Sequence, residues 1–260
     1  MAQTMIAFYC FNDNNVSSVK DFSVNERHSA STTALTIASY AYSVGKTCKF
    51  NGTTSNINFG NITAFNSLTA FTIVTKIRLT TTGVKQVISF RSSSHGLEVT
   101  SADKIKFTIN NGADISLTDT RVLVTETWYT IIAMWDGVNM SIYIDALDTP
   151  FTGAMTGTMA SNSNSLVLGY DTVDDWFAGY IEMISYYSRS LTDDEILTVL
   201  ENPTGMKMEA IDGSLKTGDL ILNNASGKEV VSWYEEFDER LFSDGEEHNF
   251  NDEELIIFKN

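Results

Sequence analysis

The sequence predicts an all-β protein, and three observations carry that reading. Phe71 to Leu79, FTIVTKIRL, sets Phe71, Ile73, Thr75 and Ile77 on one face and Thr72, Val74, Lys76 and Arg78 on the other, the two-residue period of a strand. Trp128 to Trp135 and Met140 to Ile144 alternate in the same way and are joined through Asp136-Gly137, a strong short-range hairpin signal. Composition agrees: aromatics make up 11% of the chain, Thr, Ser, Ile and Val are used heavily, and the prolines are Pro150 and Pro203 alone.

Met5 to Phe11 reads as the first strand, followed by a polar loop, Asn12 to Lys20, and by Asp21-Phe22-Ser23-Val24-Asn25. Gly45 to Gly52 is a strand closed by an Asn51-Gly52 turn, and Ile57-Asn58-Phe59 is the short strand after it. Beyond the 71–79 strand, Val87 to Phe90, Gly96 to Thr100 and Lys104 to Ile109 form a meander that turns at Ser92-Ser93-Ser94 and at Ala102-Asp103. After the Asp136-Gly137 hairpin, Ser165 to Gly169 is an apolar run ended by glycine, Asp171 to Trp176 a polar loop, and Gly179 to Tyr187 a strand rich in aromatic and branched residues. Thr192-Asp193-Asp194-Glu195 fits a capping box with Thr192 as N-cap and Glu195 at N3. Leu191 and Ile196 occupy the staple positions, and Asn202-Pro203 stops this short helix, placed at 192–201. Ile73, Ile131, Ile142, Leu168 and Ile184 are the expected core.

The order Phe177, Gly179, Ile181, Ile184, Tyr187, Arg189, Leu191, Thr192, Glu195 and Ile196 closely resembles the C-terminal signature of laminin-G-like jelly rolls of the concanavalin A-like superfamily. Gly45 to Gly52 resembles an early strand of that family, and 128–146 its Trp…Asp-Gly…Asp-Gly block, with Thr130 where a His is common and Ala146 where a Gly usually sits. Thr75 stands in a usual tryptophan position. The resemblance implies a two-sheet antiparallel jelly-roll sandwich with one short helix, over residues 1–203.

Residues 204–260 lie outside it. Residues 207–260 hold a net charge of −9 out of −16 for the chain, which places a boundary near Pro203-Thr204-Gly205. Leu220-Ile221-Leu222, Glu229 to Trp233 and Leu255 to Phe258 look like short strands, and Trp233, Tyr234, Phe237, Leu241, Phe242 and Phe250 are too apolar for a solvated tail. The segment reads as a small acidic β appendage or an arm that packs on a neighbour. The negative charge argues against nucleic acid and against a broad basic face for anionic membrane. No run approaches the roughly 18 apolar residues of a membrane helix, and Met1 to Thr4 lacks the charged start of a signal peptide. Cys10 and Cys48 fall on early strands, either bridged or, the more usual state in an unsecreted chain, buried and reduced.

Several constellations bear on chemistry. The Glu-x-Asp-x-Glu pattern of the superfamily's glycosidases is absent, and Glu236-Phe237-Asp238 runs into Arg240 and Leu241 instead, so the chain is read as non-enzymatic. His28, His95 and His248 sit in polar contexts as exposed loop residues. The resemblance implies a calcium site where the loop after the first strand meets the Ile181-Glu182 strand, with Asp21, Asn25 and Glu182 as ligands. Strand alternation sets Glu182 on the face of Ile184 and Tyr186, so its carboxylate needs partners: either that cation, or Arg189 or loop amides. For a glycan, Trp176 with Tyr170, among Asp171, Asp174 and Asp175, is the best platform, and Arg91 and His95 on another loop could join it; Trp176 equally fits as a plug beside Phe177.

The functional expectation is a structural or host-contact protein of a bacteriophage virion (head fibre, decoration or tail protein), assembled in the host cytoplasm. A jelly roll starting near Met1 without a secretion signal, and an acidic arm that docks on a larger assembly, carry it. Its partners would be other virion proteins or further copies of itself, and a surface glycan. The alternative is a free carbohydrate-binding module, secreted or extracellular.

Overall fold

The computed structural model describes residues 5–11, 15–39, 46–146, 150–171, 175–201, 221–223 and 229–231. The chain runs through β1 (Met5–Cys10), β2 (Ser31–Thr33), β3 (Thr36–Ser39), β4 (Lys46–Asn51), β5 (Asn56–Gly60) and β6 (Phe71–Leu79). It continues with β7 (Gln86–Arg91), β8 (His95–Val99), β9 (Ile105–Asn110), β10 (Asp114–Thr118), β11 (Trp128–Trp135), β12 (Asn139–Ile144), β13 (Phe151–Ala154), β14 (Leu166–Leu168) and β15 (Ala178–Tyr187). Helix α1 (Asp193–Glu201) follows, then β16 (Ile221–Asn223) and β17 (Glu229–Val231).

The strands form two antiparallel sheets packed as a sandwich. The larger, of eight strands, has the order β13-β12-β11-β6-β15-β4-β3, with β1 also paired to β15; the smaller, of seven, is β10-β9-β8-β7-β14-β5-β2. Strand β15 pairs with β6 on one flank, and with β4 and then β1 on the other. The chain passes from the smaller sheet to the larger between β2 and β3 at Ala34, whose φ of 49° marks the sharp bend. Strands β16 and β17 pair only with each other among the described residues, as a two-stranded hairpin.

Alternation places the core as expected. Ile73, Ile131, Ile142, Leu168 and Ile184 are fully buried between the sheets. At the hairpin between β11 and β12, the Asp136 carboxylate accepts the Val138 and Asn139 N–H groups. Gly137 takes a φ of 98° there, and a Cβ on it would lie 2.8 Å from the Thr69 carbonyl oxygen, so glycine is required. The outer face of the larger sheet carries a second apolar cluster. Met5, Phe8, Val74, Ile132, Met134 and Tyr187 lie there under Leu191 and under Ile196 and Val199 of α1. The helix begins as the sequence predicts: Thr192 Oγ1 accepts the Glu195 N–H, and Glu195 Oε2 accepts the Thr192 N–H. Leu191 and Ile196 are both buried, closing the staple.

Cys10 belongs to the outer cluster and Cys48 to the central core, and no disulfide joins them. Burial pushes the Cys48 thiol well above its ordinary value, which makes it inert.

Strand β15 does not alternate throughout. Its register against β6 shifts between Ile181 and Met183, so Glu182 is the extra residue of a β-bulge. That shift corrects the expectation for Glu182. Instead of following Ile184 and Tyr186 into the core, it stands on the outer face beside Lys76, with 2.8 Å between Lys76 Nζ and Glu182 Oε2. Arg189 takes another partner, holding Glu195 through two 2.6 Å bonds. Among the described residues, no helix is long and apolar enough to cross a membrane.

Candidate functional site

The smaller sheet presents its outer face as a groove. Register pairs run straight across it, from Ser116 through Thr108, Gly96, Phe90 and Val167 to Asn58. These positions face outward because their neighbours Leu117, Phe107, Leu97, Leu168 and Ile57 fill the core. At β7 the pattern inverts. A register shift between Val87 and Ser89 turns Ser89 inward, where its hydroxyl lies 2.8 Å from that of Tyr186, and leaves the Phe90 ring partly exposed outside. Gly96 faces the same way; a Cβ on it would stand 3.6 Å from the Phe90 ring. Its missing side chain keeps the floor open.

Two hollows lie along this groove. One, of about 430 Å³, has an apolar floor of Phe90, Val167 and Tyr170 beneath Asn56, Asn58, Asn164 and Ser165. The other, of about 340 Å³, lies over Glu98, Lys106, Thr108 and Ser116. Phe90, Ser92 and Asp171 line both, so the hollows are continuous.

The aromatic pair proposed from sequence is formed. Tyr170 and Trp176 stack with ring centroids 4.0 Å apart and planes 23° from parallel. Tyr170 borders the groove, whereas Trp176 lines neither hollow and is tied to it through the Tyr170 ring. Asp175 anchors that loop through Lys85, whose Nζ lies 2.7 Å from Asp175 and 3.5 Å from both Asp171 and Glu98. Burial alone would lower the Lys85 pKa, but the hydrogen bond to Asp175 and the three surrounding carboxylates outweigh it and hold the ammonium above its ordinary value. Glu98 also pairs with Lys106 at 2.9 Å, and Asp114 accepts a bond from Asn110. Each of these carboxylates is thus engaged by a neighbour. Asp174 lies outside the described residues.

Arg91 and His95 both line the second hollow, but as buried residues. Arg91 is fully buried and donates to the carbonyls of Asn162 and Asn164, the side-chain oxygens of Asn61 and Asn66, and the Ser94 hydroxyl. It is a clamp for the loops that wall the groove. His95 is also buried, not an exposed loop residue, and packs against Phe65, Phe71 and Tyr186. Burial first, and the Arg91 charge second, push its pKa down to about 3, so the ring is neutral. His28 is exposed, and His248 lies outside the described residues.

Each of the calcium ligands that the resemblance implies is engaged by protein groups. Asp21 already accepts four bonds, from the Phe8, Ser23 and Arg27 N–H groups and the Ser23 hydroxyl, at 2.7–2.9 Å. Asn25 points its amide nitrogen at the Met5 and Ile6 carbonyls, where a cation would need its oxygen. Glu182 is committed to Lys76 on the outer face. Among the described residues, no group of three or more His, Cys, Asp or Glu side chains is arranged to hold a metal. These residues do not fit the ion that the resemblance implies; protein N–H groups fasten the Asp21 loop.

Sequence reasoning missed Phe90, Asn56, Asn58, Asn164, Lys85 and Glu98. Asn56 and Asn58 alternate with Ile57 and Phe59, a signal open to inspection. The outward turn of Phe90 depends on the shift in β7, which alternation does not show.

No curated protein sequence matches the chain. Solved structures do. Domain 4 of AbnA, an extracellular arabinanase from Geobacillus stearothermophilus in complex with arabinotriose, shares 17% identity, with 76% of this chain and 98% of that one covered and a TM-score of 0.61. The binding domain of Paraclostridial Mosquitocidal Protein 1 matches at 14% identity, covering 76% of this chain and 52% of that one, with a TM-score of 0.62. The binding domain of botulinum neurotoxin DC in complex with SialylT matches at 12%, covering 76% and 51%, with a TM-score of 0.59. The chain spans about half the length of these two toxin domains, and at such identities the likeness is one of fold. Residues 51–197, more than half of the chain, match the family model described as the concanavalin A-like lectin/glucanases superfamily, and the chain belongs to that superfamily.

Proposed function

We propose that the chain is a non-catalytic, glycan-contacting jelly roll that serves as a structural or host-contact protein of a bacteriophage virion. The groove on the seven-stranded sheet carries the glycan part of this reading. It combines an apolar floor (Phe90, Val167, Tyr170) with a rim of amides and hydroxyls, the mixture that a sugar's C–H faces and hydroxyl groups match. Support for a non-catalytic role comes from the carboxylates: Glu98, Asp171 and Asp175 each contact a lysine rather than standing as a pair across an open cleft. The comparison structures that share this fold include binding domains.

Replacing Tyr170 or Phe90 with alanine is expected to weaken glycan binding at least about 10-fold, the effect of losing one central contact. Both variants should melt within a few degrees of the parent. Binding as tight as the parent's in both would sink the assignment, and so would a broad glycan array with no ligand at all.

The virion setting draws its support from residues 204–260. Their charge and aromatic content suit a docked segment, and β16 and β17 make a two-stranded hairpin, a unit marginal by itself in water. Deleting 207–260 should leave a folded sandwich that no longer self-associates or joins a particle. Normal assembly of the truncated chain, or its failure to fold, counts against an assembly role. The alternative of a carbohydrate-binding module finds support in the likeness to domain 4 of the arabinanase.

A further inference from the structure

Building on the glycan reading, we infer the class of ligand: an uncharged oligosaccharide laid across the strands of the seven-stranded sheet, as opposed to a sialylated or uronic-acid chain. Length comes from continuity. The two hollows share Phe90, Ser92 and Asp171, so one groove runs from Asn58 on β5 to Ser116 on β10. At a strand spacing of about 4.8 Å that is a path of roughly 24 Å, room for several linked rings. Gly96 sits midway, and its bare backbone removes the obstacle that any other residue would raise.

Charge comes from the ion pairs. The groove's described ammonium groups are those of Lys85 and Lys106. Lys85 is already set among Asp175, Asp171 and Glu98, and Lys106 is bonded to Glu98. Asp114 adds a further carboxylate to the same wall. Arg91 also lines the second hollow, but it is buried and spends its donors on neutral oxygens, so the lysines and Arg91 together are still outnumbered by Asp175, Asp171, Glu98 and Asp114. A ligand carboxylate or sulfate would therefore enter a field of excess negative charge, on a chain whose net charge of −16 repels it from a distance as well. Amides and hydroxyls both donate and accept, as sugar hydroxyls do, and they make up the rest of the rim.

Calorimetric titration of the intact protein with neutral oligosaccharides of increasing length, and with their sialylated and uronic-acid counterparts, tests the inference. Affinity for the neutral chains should rise with length until the groove is filled and change little with salt. The charged counterparts should bind at least about 10-fold more weakly at low salt. Gly96→Leu should abolish the gain with length while sparing short ligands held near Tyr170. Thr108→Trp, at the next half-buried position, provides the same block should Gly96→Leu fold poorly. Charged chains binding as tightly as neutral ones, or affinity independent of length, would overturn this inference and leave the glycan reading standing. A protein that binds none of the chains overturns both.

Discussion

Lys76→Met is expected to destabilise the sandwich by about 3–5 kcal/mol, because it strands the Glu182 carboxylate without its cation. The two side chains are 6% and 5% exposed, and 2.8 Å separates their charged atoms, so water cannot easily take over from the lost partner. Lys76 also stands 5.5 Å from the Trp128 ring, a smaller contribution lost in the same variant. For a domain of this size, the loss corresponds to roughly 6–20 °C in Tm. The double variant should largely cancel the loss. Lys76→Met with Glu182→Leu removes both charges beside an apolar cluster that includes Met183, and it should recover most of the stability lost by either single change. Denaturant unfolding of the four proteins decides the matter. A single-variant loss below about 1 kcal/mol would mean that the pair behaves like an exposed surface bridge. A double variant no better than the worse single one would mean that the charges are needed for something other than each other.

Arg91→Lys should cost at least about 2 kcal/mol despite keeping the charge, since each hydrogen bond from a charged group contributes about 1.5–3 kcal/mol. The guanidinium reaches five neutral oxygens on three segments, residues 61–66, Ser94 and residues 162–164. A single ammonium with three donors on a linear stem cannot span them. No carboxylate is orphaned by the change, so the loss is of loop anchoring rather than of charge balance. Hydrogen exchange should therefore accelerate first in the segment before β14, and glycan affinity should fall with it because Asn164 and Ser165 wall the groove. Stability and exchange within error of the parent would show that the clamp is dispensable.

How far the sequence could be read depended on whether alternation held. It held in β6, β11 and β12, and the capping box of α1 is local, so both were legible residue by residue. Strands β2, β3, β10 and β13 went unseen: they are three to five residues long and polar or glycine-containing, with too little pattern to register. The register shifts in β7 and β15 each reversed which face a side chain takes, hiding Phe90 and misplacing Glu182. Arg91 and His95 border a run of serines and looked exposed, but the loop carrying Met159 and Asn162 closes over them from distant sequence. The Tyr170–Trp176 pair was found because both members come from one loop. The groove was not, since its floor is assembled from six strands.

The pairing of β1 with β15 has a consequence for how the chain is made. Phe8 finds its neighbour at Ser185, close to the far end of the sandwich. A ribosome adding about 5–20 residues per second leaves that first strand waiting on the order of ten seconds or more. During the wait Met-Ile-Ala-Phe-Tyr-Cys, with neither charge nor proline, is an uncovered apolar segment of the kind that stacks into fibrils. Chaperones that shield this strand until β15 emerges should then raise the yield of folded protein.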